Sequence, residues 1–311
     1  MLVSEMEPIT VASNLTQTNG RATRGELSAE SNVFHRCIVH PGSSITLGNV
    51  DPRYHGEWES PEATMREIRV CAQKMDQLQS TMYAEGKHGL LVVLQGLDAA
   101  GKDGVVRLIM TAMNPAGCRV SGFKQPTPED LKHDFLWRIH PHVPAKGEVA
   151  IFNRSHYEDV LVVRVHDLAP VHMWSKRYDL INDFERWLVM ENSTMVLKFL
   201  LYISKEEQLA RFKRRLDDPT RRWKVSESDY KEREHWDSYI DAFEDMLHKT
   251  STKHAPWFVI PSDDKWFRDL AVSQIITHAL EDLDMERPEA SVDIAQIRRR
   301  YHAAELEARA L

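Results

Sequence analysis

The stretch LLVVLQGLDAAGKDG, residues 90–104, decides the fold of this chain. Its first six residues are mostly apolar and predict a buried β-strand. The strand runs directly into GLDAAGK, residues 96–102, which fits the phosphate-binding pattern GxxxxGK, and an apolar series at helical spacing follows over residues 105–113. This order of strand, glycine loop and helix directs backbone N–H groups and the positive end of a helix at one anion. The predicted phosphate-binding residues of the loop are Ala99, Ala100, Gly101, Lys102 and Asp103.

Two aspartates distinguish this loop from the usual pattern. The residue after Lys102, where Ser or Thr ordinarily binds Mg²⁺, is Asp103. Asp98 lies inside the loop, so we expect its carboxylate to supply the metal-binding oxygen instead. Asp98 could also act only as a turn residue that hydrogen-bonds its own loop backbone. Both interpretations of Asp98 are open on the sequence alone.

The composition is that of a globular enzyme. A chain of 311 residues can bury one large α/β core without disulfides or metals, and its net charge of −7 argues against general nucleic-acid binding. Three scattered cysteines without CxxC spacing indicate a reducing compartment and no zinc site. The N-terminus lacks a signal-peptide pattern, and no apolar run reaches the ~18 residues of a membrane span. We therefore expect a cytoplasmic protein that binds neither nucleic acid nor membrane.

Short apolar strands alternate with helices after the glycine loop. This alternation predicts an α/β three-layer sandwich, in which helices cover both faces of a parallel sheet. The predicted strands are residues 90–95, 118–123, 148–152, 195–202 and 256–260. The predicted helices are residues 61–85, 105–113, 127–139, 155–165, 174–191, 204–216, 226–250, 264–284 and 291–309.

The chain divides into three parts by composition. Residues 1–32 are rich in Ser, Thr, Asn and Glu and predict a flexible arm. Residues 33–285 contain the predicted phosphate-loop domain, which starts with an irregular segment rich in turn residues. Residues 286–311 include Arg287-Pro288 and then a charged segment that predicts a C-terminal helical extension.

The second group of candidate residues lies in EVAIFNRSHYEDVLVVRVH, residues 148–166. Asn153 and Arg154 end the predicted strand, and ligands of α/β sheets bind at the C-terminal edge of the strands. The Arg154 guanidinium can neutralise the oxygens of a transferring phosphoryl group. We therefore predict that Asn153 and Arg154 contact a nucleotide.

Two acidic residues follow in the same stretch. Glu158 has capping-box spacing from Ser155, which is a structural alternative for both residues. Glu158 and Asp159 are adjacent and point about 100° apart on a helix, so we expect one of them to face the site. That carboxylate would bind Mg²⁺ or accept a hydrogen bond from the nucleotide. Our assignment takes Asp98 and Asp159 as metal ligands and Glu158 as a nucleotide contact. The predicted catalytic residues are Asp98, Lys102, Arg154, Glu158 and Asp159.

Positive charge is concentrated in RFKRRLDDPTRRWK, residues 211–224, which holds seven Arg or Lys and two Asp. On an acidic chain this segment predicts a site for a small, mobile polyanion. Asp217-Asp218-Pro219 interrupts the helix, so we predict a lid over about residues 211–229 that closes on phosphates. A solvated helix end is the alternative, and Arg164 could equally pair with a surface acid. The further predicted phosphate-binding residues are Lys124, Arg164, Arg211, Arg214, Arg215, Arg221 and Arg222.

Four of these motifs together resemble the polyphosphate kinases of family 2. They are GLDAAGKDG, FKQPTPEDLKHDFLWR, FNRSHYEDVLVVRVH and the basic lid, and the resemblance covers roughly residues 33–285. The sequence HYED, residues 156–159, is similar to the corresponding motif of the class that phosphorylates AMP as well as ADP. The resemblance implies a thymidylate-kinase-like core on a five-stranded parallel sheet, Mg²⁺ as cofactor and a homodimer or homotetramer. It also implies that Asp98 binds the metal, that Lys102 and Arg154 bind phosphates, and that Asp103 is no departure from the family.

The expected function is Mg²⁺-dependent transfer of the terminal phosphoryl group of inorganic polyphosphate to AMP or ADP, with guanine nucleotides as further candidate acceptors. The acceptor oxygen is anionic at neutral pH, so positioning and charge neutralisation suffice for catalysis. One alternative is an ATP-dependent nucleoside monophosphate kinase of thymidylate-kinase type, against which Asp103 and the Asn153-Arg154-Ser155 sequence argue. The other is a binding module without turnover, which any observed transfer would exclude.

Overall fold

The computed structural model describes residues 33–309, so the predicted N-terminal arm lies outside the described residues. The strands are β1 Ile38–Val39, β2 Gly89–Gln95, β3 Cys118–Gly122, β4 Val149–Asn153, β5 Thr194–Tyr202 and β6 Trp257–Pro261. The helices are α1 Pro61–Glu85, α2 Lys102–Ala112, α3 Val162–Val165, α4 Val171–Trp174, α5 Arg177–Asn192, α6 Lys205–Asp217, α7 Glu227–Glu234, α8 Trp236–Thr250, α9 Lys265–Glu281 and α10 Ile294–Arg309. Short 3₁₀ turns include His156–Asp159 and Arg222–Lys224.

The strands form one mixed sheet in the order β1-β6-β5-β2-β4-β3. The five predicted strands are all present as β2 to β6 and are parallel to their neighbours. The sixth strand, β1, pairs antiparallel with the edge of β6. The predicted count of five strands is therefore wrong by one, because two residues are too few to show an apolar alternation.

Helices pack on both faces of the sheet, and the side chains of β2 show how. Leu90, Val92 and Leu94 belong to the apolar cluster shared with α1, α2 and α9. Leu91 and Val93 belong to a second cluster, shared with α5 and α8. Successive side chains of a strand point to opposite faces, so a continuous apolar run is required where both faces are covered. The predicted α/β fold is confirmed.

The helix predicted over residues 127–139 is wrong. Asp130 accepts a hydrogen bond from the backbone N–H of Thr127 at 2.8 Å, and Thr127 accepts one from Asp130 at 3.1 Å. Such side-chain bonds offer the backbone an alternative to the helix. Only Asp130–Lys132 forms a single 3₁₀ turn within this segment.

Two other predicted helices are each divided in the structure. Residues 155–165 form a 3₁₀ turn and then α3, with Leu161 between them at φ −103° and ψ −80°. Residues 226–250 form α7 and α8, which are separated by His235 at φ −90° and ψ 16°. The first break comprises Val160 and Leu161, and the second is the single residue His235.

The sheet register brings the predicted site together. Leu94, two residues before the glycine loop, lies opposite Asn153 of β4 on one side and Phe199 of β5 on the other. The C-terminal ends of three parallel strands therefore meet at one edge, where α/β sheets bind ligands. Within the described residues, no helix is long and apolar enough to cross a membrane.

Candidate active site

The glycine loop bends sharply around the Lys102 ammonium. Gly96 has φ 145° and Gly101 has φ 113°, and Ala99 between them has φ 65°. Lys102 is 8% exposed, and its Nζ donates hydrogen bonds to Gly96 O at 2.7 Å and Leu97 O at 3.2 Å. The loop carbonyls thus hold the ammonium at the first residue of α2. Phosphate binding by this loop stays a prediction.

Gly101 is required at this position for two reasons. A Cβ on Gly101 would lie 2.0 Å from Nη1 of Arg268, and the positive φ of Gly101 already disfavours a side chain. The Arg268 guanidinium cannot easily move, because it is buried and donates to Asp269 at 2.6 Å. Any side chain on Gly101 must therefore displace the loop or Arg268.

We expect Gly101→Ala to lower the free energy of unfolding by about 1–3 kcal/mol through backbone strain and crowding together, and to reduce turnover strongly. Gly42→Ala is the matched control, since Gly42 has φ 76° but nothing within 4 Å of an added Cβ. Gly42→Ala should lose the part of the unfolding free energy that comes from backbone strain, and it should keep full activity. Denaturant unfolding and initial rates measure both effects, and equal losses in the two variants would contradict the role of Arg268.

Lys102 is also the titrating group of the loop. Burial, followed by the nearby Arg154 guanidinium, lowers the pKa of Lys102 to about 8 from the ordinary 10.5. The ammonium is therefore charged below that pH and neutral above it in the ligand-free enzyme. An anion bound at the loop would favour the charged form and raise this pKa again.

A pH dependence follows from that shift. We expect kcat/KM for the phosphate donor to fall above about pH 8, by about tenfold per pH unit, because the free enzyme loses the Lys102 charge. The corresponding fall in kcat should lie at higher pH, because the bound donor raises the pKa of Lys102 and keeps its ammonium protonated. Initial rates between pH 6 and 10 would measure both profiles. Coincident profiles would mean that another group controls the fall.

Arg154 joins the loop to the neighbouring strand. Its φ is 64°, and its backbone N–H donates to Leu94 O at 3.1 Å. The guanidinium donates one hydrogen bond to Asp98 at 2.7 Å and another to Glu158 at 3.3 Å. We call this arrangement, in which one guanidinium holds two carboxylates, the Arg154 fork. The structure therefore brings together Asp98, Lys102, Arg154 and Glu158, as the sequence predicted.

A cavity of about 230 Å³ opens beside this group. Asp98, Arg154 and Glu158 form its charged end. The remainder of its wall mixes apolar and aromatic side chains with polar ones, Glu232 among them, and it is contributed by residues far apart in sequence. These wall residues are Gln95, Gly96, Leu97, Leu161, Val162, Gln208, Ser228, Glu232, Tyr239 and Phe243.

The structure distinguishes the two adjacent acids of the 3₁₀ turn. Glu158 lines the cavity, whereas the Asp159 carboxylate accepts from Arg177 at 2.9 Å and lies 4.0 Å from Arg138. Burial raises the pKa of Asp159 to about 6, although Arg177 and Arg138 oppose that shift. Asp159 thus turns toward α5 and does not line the cavity with Asp98, and its role as a second metal ligand stays a prediction.

A buried hydrogen-bond network on the core side of the 3₁₀ turn fixes the turn that carries Glu158. Lys198, in the middle of β5, donates to Glu185 at 2.6 Å, to the Tyr157 hydroxyl at 2.8 Å and to Thr250 O at 2.7 Å. Tyr157 in turn donates to Glu185 at 2.8 Å. Each charge in the network is paired, as burial requires. Ser155 accepts from Tyr157 N but Glu158 does not complete a capping box, because it pairs with Arg154.

Arg211 supports the loop instead of lining a phosphate path. It is 5% exposed, and its guanidinium donates to four backbone carbonyls and to Glu207. Those carbonyls belong to Ala99, Ala100, Ser262 and Asp263. A guanidinium has five N–H donors, so none remains for a ligand. Phosphate binding by Arg211 stays a prediction.

The other cations of the basic segment are partly exposed but paired. Arg214 donates to Glu207, and Arg215 donates to Asp229 at 2.7 Å. Arg221 pairs with Asp218 at 2.8 Å, and Arg222 donates to Leu216 O at 3.0 Å. These surface pairs are weak enough for a polyanion to displace them. Phosphate binding by these four residues stays a prediction.

Asp103 links the loop helix to the basic segment. Its carboxylate accepts from Asn153 at 3.0 Å and from Lys224 at 2.8 Å. The Lys224 contact and, despite partial burial, the Asn153 contact lower the pKa of Asp103. The carboxylate of Asp103 is thus engaged by two side chains, and phosphate binding at Asp103 stays a prediction. Asn153 is thereby oriented by Asp103 at the edge of the site.

Two predicted phosphate ligands lie away from this centre. Arg164 donates to Asp245 at 2.6 Å and lies over the Trp174 ring, which is the surface pairing left open by the sequence. Phosphate binding by Arg164 stays a prediction. Lys124 is exposed just beyond β3, two strands from the glycine loop, and its role stays a prediction.

Sequence reasoning missed the far wall of the cavity. Gln208 donates to Asp98 O at 3.0 Å, and Glu232 accepts from the Tyr239 hydroxyl at 2.7 Å. Gln208, Glu232 and Tyr239 lie on three different helices with ordinary amphipathic spacing. No local motif marks them, because only the packing of α6, α7 and α8 brings them to Asp98.

Comparisons with known proteins agree with this geometry. A sequence model of the family Polyphosphate kinase 2 (PPK2) matches residues 59–288. An AMP/ADP-polyphosphate phosphotransferase of Meiothermus ruber is 46% identical over 252 residues, which is 81% of this chain and 94% of that protein. An ADP-polyphosphate phosphotransferase of Rhodopseudomonas palustris is 40% identical over 265 residues, covering 81% and 91% of the two chains.

A solved structure agrees as well. Polyphosphate Kinase 2 from Arthrobacter aurescens TC1 superposes with a TM-score of 0.82 at 41% sequence identity, over 85% of this chain and 95% of that chain. The family match covers residues 59–288, which contain the glycine loop, Arg154, Glu158 and every wall residue of the cavity. The chain therefore belongs to the polyphosphate kinase 2 family.

Proposed function

We propose that this protein transfers the terminal phosphoryl group of inorganic polyphosphate to AMP, forming ADP, and to ADP, forming ATP. The observation that supports it best is the Arg154 fork, which joins Asp98 of the glycine loop to Glu158 at the mouth of the cavity. The loop side suits the donor phosphates. The cavity side, with Tyr239 and Phe243, suits a nucleoside.

In the transfer, an oxygen of the acceptor's last phosphate forms a bond to the terminal phosphorus of the chain. The bridging P–O bond breaks, and polyphosphate one unit shorter leaves. Lys102 and Arg154 neutralise the oxygens around that phosphorus, while the fork keeps the guanidinium fixed. No side chain needs to remove a proton, because the acceptor oxygen is already anionic.

Mg²⁺ fits the acidic residues at the charged end. Within residues 33–309, no group of three or more His, Cys, Asp or Glu side chains could hold a metal ion alone. Mg²⁺ commonly uses one or two carboxylates together with substrate phosphates and water, so Asp98 would be its protein ligand, with Glu158 beside it. When bound, the cation would neutralise phosphate charge.

We expect Asp98→Asn to raise the Mg²⁺ concentration for half-maximal activity by at least about fivefold, because an amide is a poorer ligand than a carboxylate for a hard cation. The KM for AMP should change far less. Asp103→Asn is the matched control, since Asp103 pairs with Lys224 and Asn153 instead of facing the cavity. Magnesium titrations of both variants measure the effect, and equal shifts would remove Asp98 as the ligand.

One assay tests the function itself. Purified protein is incubated with AMP or ADP, Mg²⁺ and polyphosphate, without ATP, and the nucleotides are separated by chromatography. Formation of ADP or ATP is the expected result. Transfer from ATP but not from polyphosphate would instead indicate a nucleoside monophosphate kinase, and no transfer from either donor would indicate a binding module.

Three finer features belong to the same proposal. The order of glycine loop, strand edge and lid supports a thymidylate-kinase-like core, to which β1 is an addition. A cytoplasmic location, which the scattered cysteines of the sequence predict, belongs to the proposal as well. A homodimer or homotetramer completes the proposal, with guanine nucleotides as further acceptors.

A further inference from the structure

The C-terminal helix α10 lies outside the packed core. It has 16 residues and none of them is buried. Its side-chain hydrogen bonds are local, for example from Arg309 to Glu305 at 2.7 Å and from Gln296 N to the Asp293 carboxylate at 3.1 Å. The family match ends at residue 288, before α10 begins. The helix is thus an addition to the phosphotransferase core.

A solitary helix of this length needs an explanation. Most helices in proteins are stabilised mainly by packing an apolar face against a neighbour. Ile294 is 50% exposed, Ile297 45% and Tyr301 62%. Within the described residues, none of these three side chains belongs to or packs against either apolar cluster of the sheet, so this face of α10 is open to a partner.

The exposed residues follow a coiled-coil pattern. Ile294, Ile297 and Tyr301 recur at steps of three and four, and Ala304 and Ala308 continue the series. These five residues occupy the a and d positions of two heptads, which form the contact seam of paired helices. Leu306 lies on the opposite side of the helix.

The charged residues beside the seam indicate which helix can pair with α10. Arg298 and Glu305 occupy the e positions, and Arg300 and Glu307 occupy the g positions. In two identical helices, Arg300 meets Glu305 of the second copy when the helices are parallel and Glu307 when they are antiparallel. Opposite charges therefore face each other in either orientation, whereas flanks of one sign would repel a second copy.

We propose that α10 pairs with α10 of a second copy of this chain to form a short two-stranded coiled coil. The apolar seam supplies the contact, and the flanking charges select an identical partner. This pairing does not depend on the phosphotransfer reaction. It adds a self-recognition element that the core family match does not contain.

A charge-exchange experiment on the full chain tests the pairing. The acidic variant carries Arg298→Glu and Arg300→Glu, and the basic variant carries Glu305→Arg and Glu307→Arg. A seam cysteine, Ala304→Cys, is added to both variants and to the parent for a short bifunctional thiol cross-linker. The parent without that cysteine measures linking through Cys37, Cys71 and Cys118.

The parent with Ala304→Cys should form cross-linked dimers. Each charge variant alone should form at least about tenfold fewer, because like charges face each other along the seam. An equal mixture of the acidic and basic variants should regain the parent level as mixed dimers. Arg299→Glu is the control, because Arg299 lies at an f position on the side of the helix away from the seam, and it should link like the parent.

Three results would overturn the proposal. They are failure of the mixture to regain cross-linking, an equal loss in the control, and no linking through Ala304→Cys in the parent. Circular dichroism and phosphotransfer rates should be unchanged in every variant, since α10 makes no contact with the cavity. Molar mass from light scattering over a concentration series shows whether the pairing joins chains or strengthens an existing assembly.

Discussion

Replacing Lys102 by methionine is expected to lower kcat on the order of 10²–10³-fold, the range seen when one preorganised charge or donor is removed from a transfer site. Methionine keeps the length of the buried stem but loses the ammonium that donates to Gly96 O and Leu97 O. The fold should survive, because the apolar part of the side chain still fills its place in the core. A rate assay at saturating donor, with a thermal melt, measures both effects.

Lys205→Met is the matched control. Lys205 also opens a helix that follows a parallel strand, but its ammonium pairs with Asp237 at 2.9 Å on the surface. Its loss should change kcat by less than about twofold, since exposed ion pairs contribute little. If Lys102→Met kept more than about a tenth of the parental kcat, a change below 1.4 kcal/mol in the barrier, the glycine loop would not be the reaction centre.

The elements that carry strong local patterns were predicted well. The run from Leu90 to Gln95 could only be a strand buried on both faces, and the structure places it at the centre of the sheet. The helix over Pro61–Glu85 has the predicted bounds because Ser60 caps its start and Gly86 ends it in the left-handed region. Apolar spacing and end signals agree in both cases.

The sequence does not predict the role of a side chain where a single long-range interaction decides it. Arg211 shares a helix face with other cations, and only the fold reveals that four backbone carbonyls and Glu207 take all its donors. Asp159 and Glu158 are equivalent in sequence, and the turn that separates them is fixed by Lys198, 39 residues further along the chain. Long-range contacts of this kind leave no periodic signal.

The cavity shows the same limit for function. Its charged end was predicted, since Asp98 and Arg154 follow strands that a parallel sheet must bring together. Its apolar wall was not, since Tyr239 and Phe243 have the spacing of ordinary core residues of α8. The sequence therefore indicated the phosphate chemistry, and only the structure shows where a nucleoside could lie.

Replacing Arg154 by lysine is expected to lower kcat by about 10²-fold or more, toward the range reported for arginine side chains that stabilise phosphoryl transfer. Lysine keeps the positive charge, so a role limited to charge would leave the rate nearly unchanged. The planar fork is what reaches Asp98 at 2.7 Å and Glu158 at 3.3 Å together, and an ammonium cannot reproduce that geometry.

The backbone does not confound this comparison. Arg154 has φ 64°, and any side chain with a Cβ is strained equally there, so stability should change little between arginine and lysine. Arg186→Lys is the control, because Arg186 pairs with Asp183 at 2.9 Å on the exposed side of α5. It should match the parent in kcat and in melting temperature.

The kinetic pattern of Arg154→Lys separates two roles of the fork. If the fork acts mainly on the transferring phosphoryl group, kcat falls and the KM for AMP stays nearly constant, because the lost interaction belongs to the transition state. If it acts mainly by keeping Asp98 and Glu158 in place for the acceptor, the KM for AMP rises while kcat holds. A rate within about threefold of the parent in both constants would show that Arg154 supplies charge alone.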